Sequence, residues 1–154
     1  MTLLESKIEF KTITVMVQLE AGERLCAEVG SRKSGAVTAA VNYYAEASEL
    51  FKVPRECFMP SPNVDSAVIR LDVRKTRDFD ISDEKFFFKT VRGAFSQRRK
   101  TAANGLSSSL GFDKNEVNSA LENAGLKTNV RAEALTMDEL CRLSNELYKI
   151  AKEK

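Results

Sequence analysis

The 154-residue sequence contains no histidine. That excludes a serine–histidine nucleophile, an imidazole general base and any histidine-ligated metal centre. Cysteine is scarce: Cys26, Cys57 and Cys141 are far apart and odd in number. No Cys-x-x-Cys pair occurs, which argues against a thiolate zinc site or a redox pair. Each thiol reads most plainly as a small buried hydrophobe in a reducing compartment. Glycine-rich phosphate loops are missing as well. Gly30 and Gly35 lack the required spacing and no strand leads directly into them, so the chain carries no cofactor-binding signature of its own.

A strong bulk charge is also absent. A net charge of +2 is too small to attract a polyanion by itself, so any nucleic-acid contact requires a local patch. No apolar run approaches the length of a membrane span, and Glu5, Lys7, Glu9 and Lys11 interrupt any leader-like stretch. With 43% hydrophobic and 30% charged residues, the composition is that of a soluble globular protein, expected in the cytoplasm. The length predicts one domain or one and a fraction.

What is present changes character halfway along. Phe10–Val17 is β-branched and mostly apolar, the pattern of a strand covered on both faces. Leu19–Ala27 and Ala36–Ala45 read as helices, separated by the loop Gly30-Ser31-Arg32-Lys33-Ser34-Gly35. Ser48–Val53 reads as a short strand stopped by Pro54, and a third strand begins at Ser66. Arg74–Asp78 is a charged linker, after which the apolar period changes from two to 3.6. Ser82 is placed to cap a helix with Phe87, Val91, Ala94 and Phe95 on one face. A second helix is expected over Lys100–Leu110, ending at Gly111. Asp113 with Glu116, and Thr136 with Glu139, have capping-box spacing, and Leu135 with Leu140 that of a hydrophobic staple. The expected division is residues 1–75, a small sheet with helices, and 76–154, a helical domain.

Two stretches carry the chemistry. In Phe58-Met59-Pro60-Ser61-Pro62, two prolines stiffen a loop that presents an aromatic just before a strand. Phe58 reads either as an aromatic anchoring that loop or as a platform for a flipped base. In Phe95-Ser96-Gln97-Arg98-Arg99-Lys100-Thr101, a helical apolar pattern ends in three consecutive cations. Arg98, Arg99 and Lys100 are either a solvated face or phosphate contacts, with Arg92, Arg32 and Lys33 as possible extensions. The carboxylates form no acid–base couple, and Ser66 has no base to make it a nucleophile.

These residues resemble one family. Val15-Met16-Val17-Gln18 with Glu20 and Arg24, Asn42-Tyr43-Tyr44-Ala45, Val53-Pro54 through Phe58, Pro60 and Pro62 to Val64-Asp65-Ser66-Ala67-Val68, the Phe95–Thr101 string, and Arg131-Ala132-Glu133 with Leu135 are similar to the C-terminal part of the small-subunit ribosomal RNA adenine dimethyltransferases. The resemblance runs through nearly the whole chain. It implies an α/β plus all-α fold: the last three strands of a Rossmann-like, S-adenosylmethionine-dependent methyltransferase sheet, partly antiparallel, followed by a small helical domain that engages rRNA. It implies transfer of methyl groups to the exocyclic amines of two adjacent adenines, with Phe58 stacking on the target base. The partner it implies is the small ribosomal subunit RNA.

The departures matter equally. The family's glycine-rich cofactor motif and its Asn-Leu-Pro-Tyr motif are not in this sequence, and Ser61, Asn63 and Ala103 stand where the family often has basic residues. A fragment that is inactive alone and binds no S-adenosylmethionine is therefore expected. The strand at 10–17 would then have an uncovered edge prone to self-association. Two other readings stay open: a non-catalytic RNA-binding or ribosome-assembly module, and a large-subunit rRNA methyltransferase of the antibiotic-resistance type.

Overall fold

A computed structural model describes residues 3–4 and 8–153; Glu5 and Lys7 lie outside the described residues. The regular elements are β1 (Thr12–Gln18), α1 (Leu19–Leu25), α2 (Ala36–Tyr44), β2 (Ala45–Val53), β3 (Ser66–Val73), α3 (Glu84–Ala94), α4 (Ala102–Leu110), α5 (Lys114–Asn123) and α6 (Met137–Lys152). Single 3-10 turns lie at Arg55–Cys57 and Ala132–Ala134. The chain forms two compact units: residues 1–28 with 37–77, and residues 29–36 with 78–154.

The first unit is a three-stranded sheet in the order β1-β3-β2. β3 lies between the other two and is antiparallel to both, so β1 and β2 run in the same direction. One face is packed by α1. Gly22 makes that approach possible, because a Cβ there would sit 3.2 Å from Ala67 and 3.4 Å from Ile69 and Val17. Ile13, Ala67, Ile69 and Leu71 are buried on this side.

The opposite face is open, which corrects the expectation of a β1 covered on both sides. Burial along β1 alternates with the strand's period of two rather than running continuously. Met16 is 52% exposed, and the strand register aligns it with Val68 and with Phe51, itself 58% exposed. An apolar row thus crosses the uncovered face, and β1, at one end of the strand order, is an edge strand. β2 starts three residues earlier than its sequence pattern implied, directly from the end of α2, and its register is broken between Glu49 and Phe51.

Arg74–Asp78 does not run as a loose linker. Arg74 donates its Nε–H to the Asn42 carbonyl at 3.0 Å, and the Arg77 guanidinium lies 4.7 Å over the Tyr44 ring. Both pairs hold the strand's exit against the end of α2.

The helical unit closes around Phe87, Leu106, Val117, Leu121, Leu140, Leu143 and Leu147, all essentially inaccessible to solvent. Its ends are set by local chemistry. Asp113 and Thr136 each accept a backbone N–H in the first turn of α5 and α6, while Glu116 and Glu139 reach back to the cap N–H groups, both at 2.8 Å. α3 is capped by Asp83, whose carboxylate accepts from the Phe86 N–H at 2.6 Å, and not by Ser82. Ser82 instead donates its own N–H to Asn145. α4 starts two residues later than expected, at Ala102, with Thr101 as its cap, and stops at Gly111 in the left-handed region (φ 73°). Gly30 (φ 94°) takes the same region beside Thr136, whose Cγ2 would lie 3.3 Å from an added Cβ. That packing explains why residues 29–36 group with the helical unit rather than with the sheet.

The cysteines depart from the expectation of three buried thiols. Cys141 is buried in α6, and burial pushes its thiol up to about 12, with Asp138 and Asp80 adding to the effect. Cys26 is half-buried, its thiol raised by burial and then by Glu49, whereas Cys57 is exposed. The exposed thiol sits in a surface turn that has no core to enter.

α3 and α4 meet at Gly93 and Gly105. A Cβ on Gly105 would lie 2.6 Å from the Gly93 carbonyl oxygen and 3.0 Å from that of Ala94. A Cβ on Gly93 would meet side chains no closer than 3.4 Å. Gly105→Ala is therefore expected to destabilise the chain by about 1–3 kcal/mol despite its better helix propensity. Gly93→Ala should be neutral or stabilising in the same urea titration. Equal midpoints for the two variants would contradict the close helix contact.

Candidate nucleic-acid interface

The proline loop is closed by its own residues. After Pro54 the chain turns once through Arg55–Cys57, becomes extended at Phe58 and passes a cis Met59–Pro60 bond. The Asp65 carboxylate accepts the Arg55 N–H at 3.0 Å, joining the two ends of the loop. Inside it, the Ser61 hydroxyl donates to the Arg55 carbonyl at 2.9 Å, and the Arg55 guanidinium reaches the Asn63 carbonyl. Asp65 also fixes the neighbouring element, since its carbonyl accepts the Leu19 N–H at the start of α1. Glu56 is held below the usual carboxylate range by its own backbone N–H and by the Arg55 side chain. Phe58 is half-buried rather than enclosed, and Met59 beside it is 99% exposed. A concavity of about 450 Å³ opens next to the loop, lined by Leu19, Arg55, Asn63 and Asp65 among others.

The Phe95–Thr101 string is the connection between α3 and α4. Its two hydroxyl residues build the turn. Ser96 donates to the Gly93 carbonyl at 2.7 Å and accepts from Ser109 at 2.9 Å, tying the end of α3 to α4. Thr101 caps α4, and the Ala102 N–H donates to the Val130 carbonyl at 2.8 Å, so the Arg131-Ala132-Glu133 segment begins against the same helix end. Arg98, Arg99 and Lys100, between these anchors, are exposed. Among the described residues none of the three is ion-paired.

Their position is electrostatically unfavourable for the protein alone. The N-terminus of a helix carries roughly half a positive charge, and a cation beside it costs about 0.3–1 kcal/mol. Three cations stand directly before the N-terminus of α4, and the first turn of that helix carries no acidic residue. The arrangement suits an anion brought from outside, which would meet the side-chain charges and the helix end together.

Arg92 is exposed on α3 and lines a groove of the helical unit together with Lys89. Arg32 and Lys33 are exposed and belong to the same unit as Arg92 and the Arg98–Lys100 turn, whereas Phe58 belongs to the sheet unit. Lys89 joins this group from outside the sequence-derived set; its spacing of three from Arg92 places both on one side of the helix. Nothing in the sequence around Asp65 signals the clamp it makes.

Among the described residues no cluster of acidic and cysteine side chains is placed to hold a metal ion. No strand among them enters a glycine turn at a helix start: β1 passes directly into α1, and the positive-φ glycines are Gly30, Gly111 and Gly125. No described helix is long and apolar enough to cross a membrane.

The family model for ribosomal RNA adenine dimethylase matches residues 1–149. The chain is 43% identical over 150 residues to the ribosomal RNA small subunit methyltransferase A of Streptococcus thermophilus, covering 96% of this chain and 52% of that protein. The protein of the same name from Oceanobacillus iheyensis is 37% identical, with 96% and 51% covered. The chain thus spans about half the length of the curated relatives it matches. Among solved structures, a dimethyladenosine transferase from Plasmodium falciparum superposes with a TM-score of 0.76 at 22% identity, covering 99% of this chain and 61% of that one. The 23S rRNA methyltransferase ErmE gives 0.63 at 23% identity, covering 94% and 57%. At these identities the two structures establish the fold alone. By the extent of the family match and the identity to its curated relatives, the chain belongs to the ribosomal RNA adenine dimethylase family.

Proposed function

We propose that this chain supplies the RNA-facing half of an S-adenosylmethionine-dependent enzyme that dimethylates two adjacent adenines of small-subunit rRNA in the cytoplasm. In this reading the region 1–75 presents Phe58 as the stacking platform for the target base. The region 76–154 holds the rRNA backbone through Arg98, Arg99 and Lys100, assisted by Arg92, Arg32 and Lys33. The observation that carries the reading is the exposed, unpaired cationic turn at the positive end of α4. Such a turn weakens the isolated protein and gains only when an anionic backbone arrives. The curated relatives' name supports a small-subunit rather than a large-subunit RNA.

The cofactor belongs to the whole enzyme in this proposal. S-adenosylmethionine is not expected to bind this chain alone, because the family's glycine-rich cofactor motif is not in its sequence. The chain by itself is an RNA-binding unit without methyl-transfer activity. The edge of β1 and the row Met16–Val68–Phe51 give it a second property: concentration-dependent self-association through the uncovered sheet.

Replacing Arg98, Arg99 and Lys100 together by Ala should weaken binding to small-subunit rRNA and reduce the salt dependence. The slope of log K against log salt should fall by about two to three, at about 0.7–0.9 for each phosphate no longer neutralised. The melting temperature should stay level or rise, because the replaced charges oppose the helix end. An unchanged slope, or a clear loss of thermal stability, would make the turn structural. Light scattering over rising concentration should reveal association that Met16→Lys abolishes; a strict monomer at high concentration would remove the edge from the account.

A further inference from the structure

The helical unit contains a second concave feature outside the Phe58 loop and the Arg98–Lys100 turn. A groove of about 660 Å³ lies between α3, the end of α4 and the end of α6. That is within the size range of small-ligand sites, about 300–1,000 Å³. Its apolar side is built by Phe86, Leu110 and Phe112. The Phe86 ring stands 6.5 Å from that of Phe112 and 5.3 Å from that of Tyr148, which itself carries the Lys152 ammonium 4.7 Å above it. Phe86 is held by this ring cluster and remains half-buried. It is a fixed aromatic surface rather than a core residue.

The polar side has one sign. Lys89 and Arg92 line the groove one turn apart on α3, and neither is ion-paired among the described residues. No carboxylate is among the lining residues. The Ser109 hydroxyl adds a hydrogen-bonding group, and at Gly111 an added Cβ would meet nothing within 4 Å, so that end is open to solvent. An exposed helix of this composition would normally pair such cations with acids three or four residues away. At these two positions it does not.

We propose that this groove takes one unpaired nucleotide of RNA, with its base against the half-buried Phe86 ring, which the buried Phe112 backs edge-on, and its phosphate between Lys89 and Arg92. The proposal rests on the RNA-binding reading and adds to it a selection for unpaired strand. A duplex offers phosphates but no free base face, so only a single-stranded or bulged nucleotide engages the aromatic and cationic sides together. An apolar ligand would leave the two cations unsatisfied, and an inorganic anion would leave the rings uncovered.

The test compares binding of a mixed-sequence single-stranded 12-mer RNA and its duplex by fluorescence anisotropy. The chain is used whole, beside three variants: Lys89→Ala with Arg92→Ala, Ala151→Glu, and the Arg98–Arg99–Lys100 triple alanine. Ala151 lines the groove, and a carboxylate there repels a phosphate without removing a ring. Unchanged circular dichroism and melting establish that the variants are folded. The native chain is expected to favour the single strand. Both groove variants should lose about tenfold in single-strand affinity and lose the preference over duplex. The double variant should also reduce the single-strand salt slope by about 0.7, the share of the one phosphate the pair neutralises. The triple variant should weaken both RNAs alike. Equal loss on both RNAs in the groove variants would overturn the base contact and leave a phosphate patch. Unchanged binding in the groove variants, with the triple variant still impaired, would overturn the groove and spare the cationic turn. Capture of an acidic peptide by a groove that ignores RNA would assign it to a protein partner instead. A native chain that binds neither RNA would overturn the groove and the RNA-binding reading together.

Discussion

The approach of α3 to α4 is the constraint on which the functional surface depends. Gly105 has no room for a methyl group against the carbonyl oxygens of Gly93 and Ala94, so the two helices cross with backbone nearly touching backbone. The turn joining them must then be short and internally bonded, and Ser96 and Thr101 supply those bonds. Residues 98–100 are left with no interior to enter. Their charges face water because the helices on either side are packed too closely to admit them. The same crossing brings Ser109, from the end of α4, beside Lys89 and Arg92 on α3, forming one wall of the groove. One steric contact thus positions both cationic features of the helical unit.

Much of this was legible in the sequence where the signal is local. The capping boxes at Asp113 and Thr136 and the glycine stop at Gly111 depend on residues within one turn, and each formed where its spacing indicated. The choice between Ser82 and Asp83 as the α3 cap was not legible. It is decided by Asn145, far along the chain, which occupies the Ser82 N–H and the Asp80 carbonyl. The covering of β1 was misread for a related reason. A run of β-branched residues states that a strand is apolar, but which faces are packed depends on elements elsewhere, and α1 packs only one. Asp65 and Lys89 escaped notice because a loop clamp and a groove wall are tertiary properties of residues that look ordinary in sequence.

The sheet unit and the helical unit differ in how complete they are. The helical unit buries most of its apolar residues within itself and exposes cations together with the half-buried Phe86 ring. The sheet unit packs α1 on one face and carries Met16, Val68 and Phe51 across the other, with β1 at the edge. That face and that edge are the apolar surface which the described residues leave uncovered. The physics of the two units therefore divides along the same line as the proposed roles, one holding RNA and the other presenting a base platform to a catalytic half.

The most direct test of the central claim is amide hydrogen exchange on this chain with and without small-subunit rRNA. Exchange should slow in two places, the loop 54–65 and the turn 96–101, with little change in the buried stretches of α5 and α6. Slowed exchange confined to β1, or no change at 96–101 under conditions where the RNA is bound, would contradict it.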